Sequence, residues 1–380
     1  MSAVRPSVIG MNISDADIAD LTDRLDRTRW PQPWPGAGWE VGTAPTELRR
    51  LVDLWRTEYD WRQQERSMAA LPSHTADIDG IDVHYLRFDA ETTGALAIVL
   101  TNGWPSSFLE LVDLARRLSS PSEFGGDPAD AFTVIVPSLP GFGFSPQRQS
   151  IVDALPTFEI WHRLMHDELG FEHYAAQGGD LGSGVTSRLA EAHPEAVVGI
   201  HLMSVAAPAS LDEATLTVEE RRFREATATW IAEEGAYNHQ QSTKPATLSY
   251  GLSDSPVGLL AWIIEKYRSW SDSHGDLSSR FSDDFLLTQA SLYWFTNSIS
   301  TSFRPYFENG SRLAPPVGRV TVPTAVALFP ADMAQPPRSW AERTYNVQRF
   351  TTMPRGGHFA AIEETELLAA DMTEFFRALR

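Results

Sequence analysis

The chain has no cysteine among its 380 residues. Disulfides, thiolate nucleophiles and zinc–thiolate sites are therefore excluded together. Lysine is nearly missing too: Lys244 and Lys266 are the only two, and every other basic residue is arginine. GC-rich codons favour arginine over lysine, so the composition points to a bacterial genome of high GC content. Positive charge is scarce as a whole, with 31 basic residues against 50 acidic ones and a formal charge of −19. No basic run or basic helix offsets that balance, which argues against nucleic acid and anionic membranes as partners. No apolar stretch approaches the roughly 18 residues of a membrane span, and residues 1–18 lack the charged start and apolar core of a secretion signal. The expected location is the cytoplasm.

What is present is a large core in the making. Apolar residues make up 42% of the chain, with 12 tryptophans and 19 phenylalanines. The length exceeds a typical single domain, so one large α/β domain with an insertion is expected. Ser14-Asp15-Ala16-Asp17 opens a helical pattern with Ile18, Leu21 and Leu25 on one face, and residues 48–68 read as a second, aromatic-rich helix. Residues 77–85 alternate around Asp79-Gly80 as a β-hairpin. Short apolar runs follow at 95–100, 132–136, 174–177, 197–203, 324–329 and 348–353, and helical stretches (108–118, 158–169, 183–193) separate the earlier ones. Such alternation implies crossover connections and a mostly parallel sheet with helices on both faces. Between residues 203 and 322 strand signals vanish, and helices are expected at 218–234, 257–270 and 283–299. The resulting division is an N-terminal helical meander (1–72), an α/β core (73–207 and 313–380) and an inserted helical cap (208–312).

The most informative motif is Gly178-Gly179-Asp180-Leu181-Gly182, placed between a strand signal and a helix signal. Glycines let a strand turn sharply into a helix and hold one side chain out at the top of a sheet. No Gly-x-Ser-x-Gly occurs; the exposed position carries a carboxylate. A serine there would attack acyl carbon, whereas a carboxylate suits displacement at saturated carbon through an alkyl ester. A capped turn with no catalytic role is the plain alternative for this pentapeptide alone.

Ligands of parallel sheets bind beyond the carboxyl ends of the strands. Asp332 follows the 324–329 strand, and His358, in Arg355-Gly356-Gly357-His358-Phe359, follows the last one. The order nucleophile, acid, base is that of the α/β-hydrolase triad. Asp180 would attack, His358 would activate water, and Asp332 would orient and charge-balance the imidazole. Loops after earlier strands contribute Asn102, Pro105 and Phe144 as candidates for the substrate pocket.

On these residues the chain resembles an epoxide hydrolase of the α/β-hydrolase superfamily, in the branch of the microsomal enzymes and their soluble fungal relatives. Ser242-Thr243-Lys244-Pro245, Asp254-Ser255-Pro256-Val257-Gly258-Leu259 and Leu292-Tyr293-Trp294 extend the likeness over nearly the whole chain. The resemblance implies two cap tyrosines that hydrogen-bond the epoxide oxygen, at Tyr237 and Tyr306, and backbone oxyanion donors at Trp104 and Leu181. It implies no cofactor and no metal, with a small-molecule epoxide and water as the reactants. Two positions depart from the family pattern. Asn102 replaces a histidine before Gly-Trp-Pro, and Leu181 replaces a tryptophan after the nucleophile. Leu181 also speaks against the nearest rival, a haloalkane dehalogenase, which needs side-chain N–H donors for the departing halide. A non-catalytic ligand-binding protein of the same shape is the second alternative. A homodimer is compatible with the sequence, as is a role in natural-product biosynthesis or in detoxification.

Overall fold

The computed structural model describes residues 5–6 and 13–380, except 37, 152 and 312; residues 1–4 and 7–12 of the expected meander lie outside it. Three helices lead: α1 (Asp15–Asp26), α2 (Pro45–Thr57) and α3 (Trp61–Ala69). Ser14 caps α1 reciprocally with Asp17, each side chain accepting the other's backbone N–H. The single helix expected over 48–68 is in fact two. Asp60 interrupts it by accepting the Gln63 N–H and starting a new helix.

The strands are β1 (Arg5–Pro6), β2 (Ser73–Ile78), β3 (Ile81–Phe88), β4 (Leu96–Thr101), β5 (Phe132–Pro137), β6 (Tyr174–Gly178), β7 (Val197–Leu202), β8 (Val320–Leu328) and β9 (Tyr345–Thr352). They form one sheet in the order β1-β2-β3-β5-β4-β6-β7-β8-β9. Pairing is antiparallel from β1 through β3 to β5, and parallel from β5 to β9. The β2–β3 hairpin turns through Asp79 and Gly80, both at positive φ, as a two-residue turn with right-handed strand twist requires. The pair β1–β2 was not expected, because two residues of strand carry no readable period.

Helices α4 (Val112–Ser119), α5 (Thr157–His162) and α6 (Leu181–Ala192) join the parallel strands. Between β7 and β8 the chain is helical: α7 (Val218–Glu234), α8 (Ala236–Thr243), α9 (Pro245–Asp254), α10 (Pro256–Ser269), α11 (Asp283–Phe295), α12 (Ile299–Ser302) and α13 (Arg304–Gly310). The expected 283–299 helix breaks at Asn297, which sits at φ 49°. Helices α14 (Arg338–Glu342), α15 (Ala360–Glu363) and α16 (Thr365–Phe376) complete the fold. No helix of the described residues is long and apolar enough to cross a membrane.

Alternate residues of the central strands feed two apolar layers. Val99 and Ile135 face the layer shared with the cap and leading helices, while Ile98, Leu100, Val134 and Val136 face α4 and α16. On the α16 side, His201 of β7 lies fully buried with Nε2 3.0 Å from Asp371. The other Asp371 oxygen accepts from Arg349 and Thr351 of β9, so a buried charge is fully partnered.

The leading helices bind the outer side of the cap. Arg50 grips Asp283 through two bonds of 2.6 and 2.7 Å, and Arg24 reaches Asp254 at 2.9 Å. Thr43 donates to the Ala261 carbonyl at 2.7 Å, and the buried Trp55 indole donates to Ser291 at 2.9 Å.

Candidate active site

The turn from β6 into α6 holds Asp180 at φ 49° and ψ −123°. A non-glycine residue reaches this region only where the surroundings enforce it. Here they do so by close backbone approach. A Cβ on Gly182 would lie 2.0 Å from the Thr101 carbonyl oxygen, and one on Gly103 would lie 2.2 Å from the Asp180 Cβ. Side chains at either position would push the elbow off the sheet.

Asp180 Oδ1 accepts the Trp104 N–H at 2.9 Å, and the Leu181 N–H also bonds the carboxylate. Two backbone donors thus converge where negative charge would develop on an ester carbonyl. His358 Nδ1 lies 2.8 Å from Asp332 Oδ1, and His358 Nε2 lies 3.7 Å from Asp180 Oδ2. The Met333 N–H braces the same Asp332 oxygen at 2.7 Å. The imidazole is set by its backbone, whose N–H donates to the Trp270 carbonyl at 2.8 Å, and by the Trp270 ring against its edge.

Electrostatics follow from burial and crowding. Burial pushes the Asp180 carboxyl up, partly opposed by His358 and the two N–H donors. Burial alone would lower the His358 imidazole; the charge and hydrogen bond of Asp332, with Asp180 and Glu110, outweigh it and hold it at about 9.

From the cap, Tyr237 on α8 and Tyr306 on α13 meet above Asp180 with ring centroids 6.0 Å apart. Trp104 stacks on Tyr237 and meets Tyr306 edge-on. Both phenols are raised, by burial first and then by the Asp180 charge. The buried Tyr306 hydroxyl, beside that of Tyr237, makes no hydrogen bond of good geometry among the described residues. Lys266, one of the chain's two lysines, is buried with Nζ 4.8 Å from the Tyr237 ring centre.

A cavity of about 610 Å³ opens on Asp180, Leu181, Tyr237 and Tyr306. A second chamber of about 10 Å³ lies against Asp180 and His358, lined also by Asn102, Gln177 and Glu110. The Asn102 Oδ1 and Gln177 Oε1 atoms are buried without partners among the described residues. Glu110 is buried too, and burial lifts it to about 7 against the opposing effects of Ser106 and His358. The sequence reading missed Glu110 and Gln177. A carboxylate inside Phe108-Leu109-Glu110-Leu111-Val112 was the available signal.

Two of the three pocket candidates lie elsewhere. Pro105 and Phe144 line neither cavity; Phe144 packs on His84 and Phe108, because that loop folds back over the hairpin. Asn102 faces the small chamber instead of the large one. Away from both, His162, His166 and Asp167 bring potential metal-ligand atoms within 4.8 Å at the surface, and His162 stacks on His193.

A parallel sheet with an acidic elbow, an imidazole–carboxylate pair and an inserted helical cap defines a hydrolase of the α/β-hydrolase fold. Family comparison agrees: the alpha/beta hydrolase fold matches residues 97–365, and the epoxide hydrolase N terminus matches residues 6–111. Rabbit (Oryctolagus cuniculus) epoxide hydrolase 1 is 33% identical over 98% of this chain and 88% of its own. A Stigmatella aurantiaca protein provisionally assigned as an epoxide hydrolase is 40% identical over 97% and 84%. Among solved structures, Aspergillus niger epoxide hydrolase superposes with a TM-score of 0.85 at 29% identity, covering 100% of this chain and 97% of that one. The chain belongs to the epoxide hydrolases.

Proposed function

We propose that Asp180 opens an epoxide by backside attack and carries the product as an alkyl ester until water releases a vicinal diol. The Asp180 carboxylate forms a bond to one ring carbon as that carbon's bond to oxygen breaks. Tyr237 and Tyr306 hydrogen-bond the departing oxygen, and one phenol gives it a proton. Without such donors the alkoxide would be a poor leaving group near neutral pH.

Esterification removes the Asp180 charge. One of the influences that hold His358 protonated is thereby lost; the imidazolium gives its proton to solvent and becomes a base when one is needed, and it takes a proton back from solvent once the Asp180 carboxylate is restored. His358 then takes a proton from water as its oxygen adds to the ester carbonyl, and the Trp104 and Leu181 N–H groups hold the oxyanion. On collapse the leaving alkoxide takes the proton back from His358. The regenerated Asp180 acid returns a proton to the tyrosinate. The small chamber fits one water, and Glu110, Asn102 and Gln177 supply the polar partners such a site requires. In this reading substrate meets Asp180 from the large cavity and water meets it from the chamber.

The observation that carries the reading is the convergence of His358, Trp104 N–H and the two phenols on one elbow carboxylate. A single turnover in ¹⁸O water should place label in Asp180 before it reaches diol. Label passing directly into diol would sink the covalent step, and Asp180→Asn should abolish turnover while the fold persists. A cytoplasmic protein, as monomer or homodimer, divided into cover (1–72), core (73–207 and 313–380) and cap (208–312), completes the proposal. Limited proteolysis at the two cap boundaries tests that division.

A further inference from the structure

The large cavity extends well past the reacting carboxylate along one face of α6. Leu181, Gly184, Val185 and Arg188 all line it, and their spacing of three, four and seven residues is that of a single helix face. Eight residues separate Asp180 from Arg188, about 12 Å at 1.5 Å per residue. The wall is apolar or small until it reaches this guanidinium.

Arg188 is half-buried and makes no hydrogen bond or ion pair among the described residues. Its nearest acidic neighbour, Glu191, is beyond ion-pair range and already accepts the Gly318 N–H at 3.0 Å. Tyr345, the other titratable group facing it, is engaged with Ser187 and the Ala206 N–H. Among the described residues the cavity's other basic residue is different: Arg148 is paired with Glu308, which also holds Arg304. A partly desolvated cation without a counter-charge is costly, and a protein of formal charge −19 has acid to spare for pairing it. Leaving it bare in a cavity wall suits a ligand that brings its own anion.

We propose that Arg188 is an anion subsite at the far end of the cavity and selects elongated epoxides ending in a carboxylate. The proposal rests on the epoxide-opening reading of Asp180. A carboxylate is favoured over a phosphate ester because one planar guanidinium pairs with it through two parallel bonds, and the other cation lining the cavity among the described residues is already paired and leaves no second free charge for a dianion. The epoxide end would reach the phenols while the tail reaches Arg188.

The test is kcat/KM for terminal-epoxy fatty acids of graded length, each beside its methyl ester and its phosphate-tailed analogue, in wild type and in Arg188→Gln. Wild type should favour the acid over the ester by about tenfold or more at one optimal length. The variant should lose that ratio through a raised KM for the acid. Equal losses for acid and ester, or no acid preference in a wild type that opens the esters, would overturn the subsite. So would a preference for the phosphate tail. Calorimetric binding of the saturated acid against its ester tests the subsite without turnover. Binding that is lost in Arg188→Gln supports it even if no epoxide is opened, whereas binding that discriminates in neither protein overturns it. Failure of all epoxides in wild type would instead count against the function proposed for Asp180.

Discussion

Two glycines, one facing Asp180 and one on the helix that follows it, make opposite predictions. Gly103 faces the nucleophile, and an added Cβ would sit 2.2 Å from the Asp180 Cβ and 2.4 Å from Oδ1. Carbon atoms rest about 3.5–4.0 Å apart, so Gly103→Ala must drive loop and elbow apart by more than ~1 Å. A 1 Å misplacement at a reacting centre lowers rate by ~10²-fold, and overpacking here should also destabilise the fold by about 1–3 kcal/mol. Gly184 lies on α6 only four residues beyond Asp180, yet a Cβ there would meet nothing within 4 Å. Gly184→Ala should therefore stabilise the protein by ~0.5–1 kcal/mol through helix propensity alone. Thermal melts followed by circular dichroism, beside kcat/KM for styrene oxide, read both effects. Wild-type kcat/KM in Gly103→Ala would refute the reasoning, because it would mean the backbone at the elbow yields freely. A lowered melting temperature in Gly184→Ala would refute it from the other side.

Tyr306→Phe should lower kcat by ~10²–10³-fold, as loss of an oxyanion donor does, with little change in melting temperature, since the buried hydroxyl removed makes no hydrogen bond of good geometry. Stopped-flow tryptophan fluorescence should show ester hydrolysis rising with pH and levelling at a pKa below the value of about 9 held by His358 in the free enzyme. Glu110→Gln should slow that second step and leave ester formation ahead of it, giving a burst. Asp371 is held at about 2 against an ordinary 3.8 by His201, Arg349 and Thr351, which overcome its burial. Its folded value is the lower one, so it adds about 2 kcal/mol of stability above pH ~4 that is lost as pH falls towards 2. Urea midpoints of Asp371→Asn should be lowered at pH 7 and flatter than wild type over that acid range.

Much of this architecture was legible because its signals are local. The apolar runs that became β4 to β8 are short and bounded by glycine and proline, and the elbow announces itself by glycines around one carboxylate. Asp332 and His358 could be found because each lies in the loop that follows a strand, and the fold brings their side chains beside Asp180. Other features depend on contacts that no local pattern encodes. Asp60 starts a new helix through a single capping bond, and Asn297 follows a helix end with a single positive φ. Glu110 stands out only as a carboxylate inside an apolar run, and it takes the tertiary packing to set it against Asp180 and His358. Phe144 lies in a loop after a strand end, as a pocket residue should, and only the tertiary fold turns its ring onto His84 and Phe108. Arg188 was invisible for a related reason: its meaning lies in the absence of a partner.

The bonds between the leading helices and the outer side of the cap have a kinetic consequence. A cap free on its outer side could swing open to admit substrate, but this one is held by Arg50–Asp283, Arg24–Asp254 and the buried Trp55–Ser291 bond. Opening it would break these together and expose the apolar layer beneath, at several kcal/mol. Substrate and diol are therefore expected to exchange through the mouth of the large cavity with the cap in place. For bulky epoxides, escape of the diol along that passage should set the turnover: substitutions that widen its mouth should raise kcat, whereas Trp55→Phe should not, in steady-state assays with a bulky epoxide.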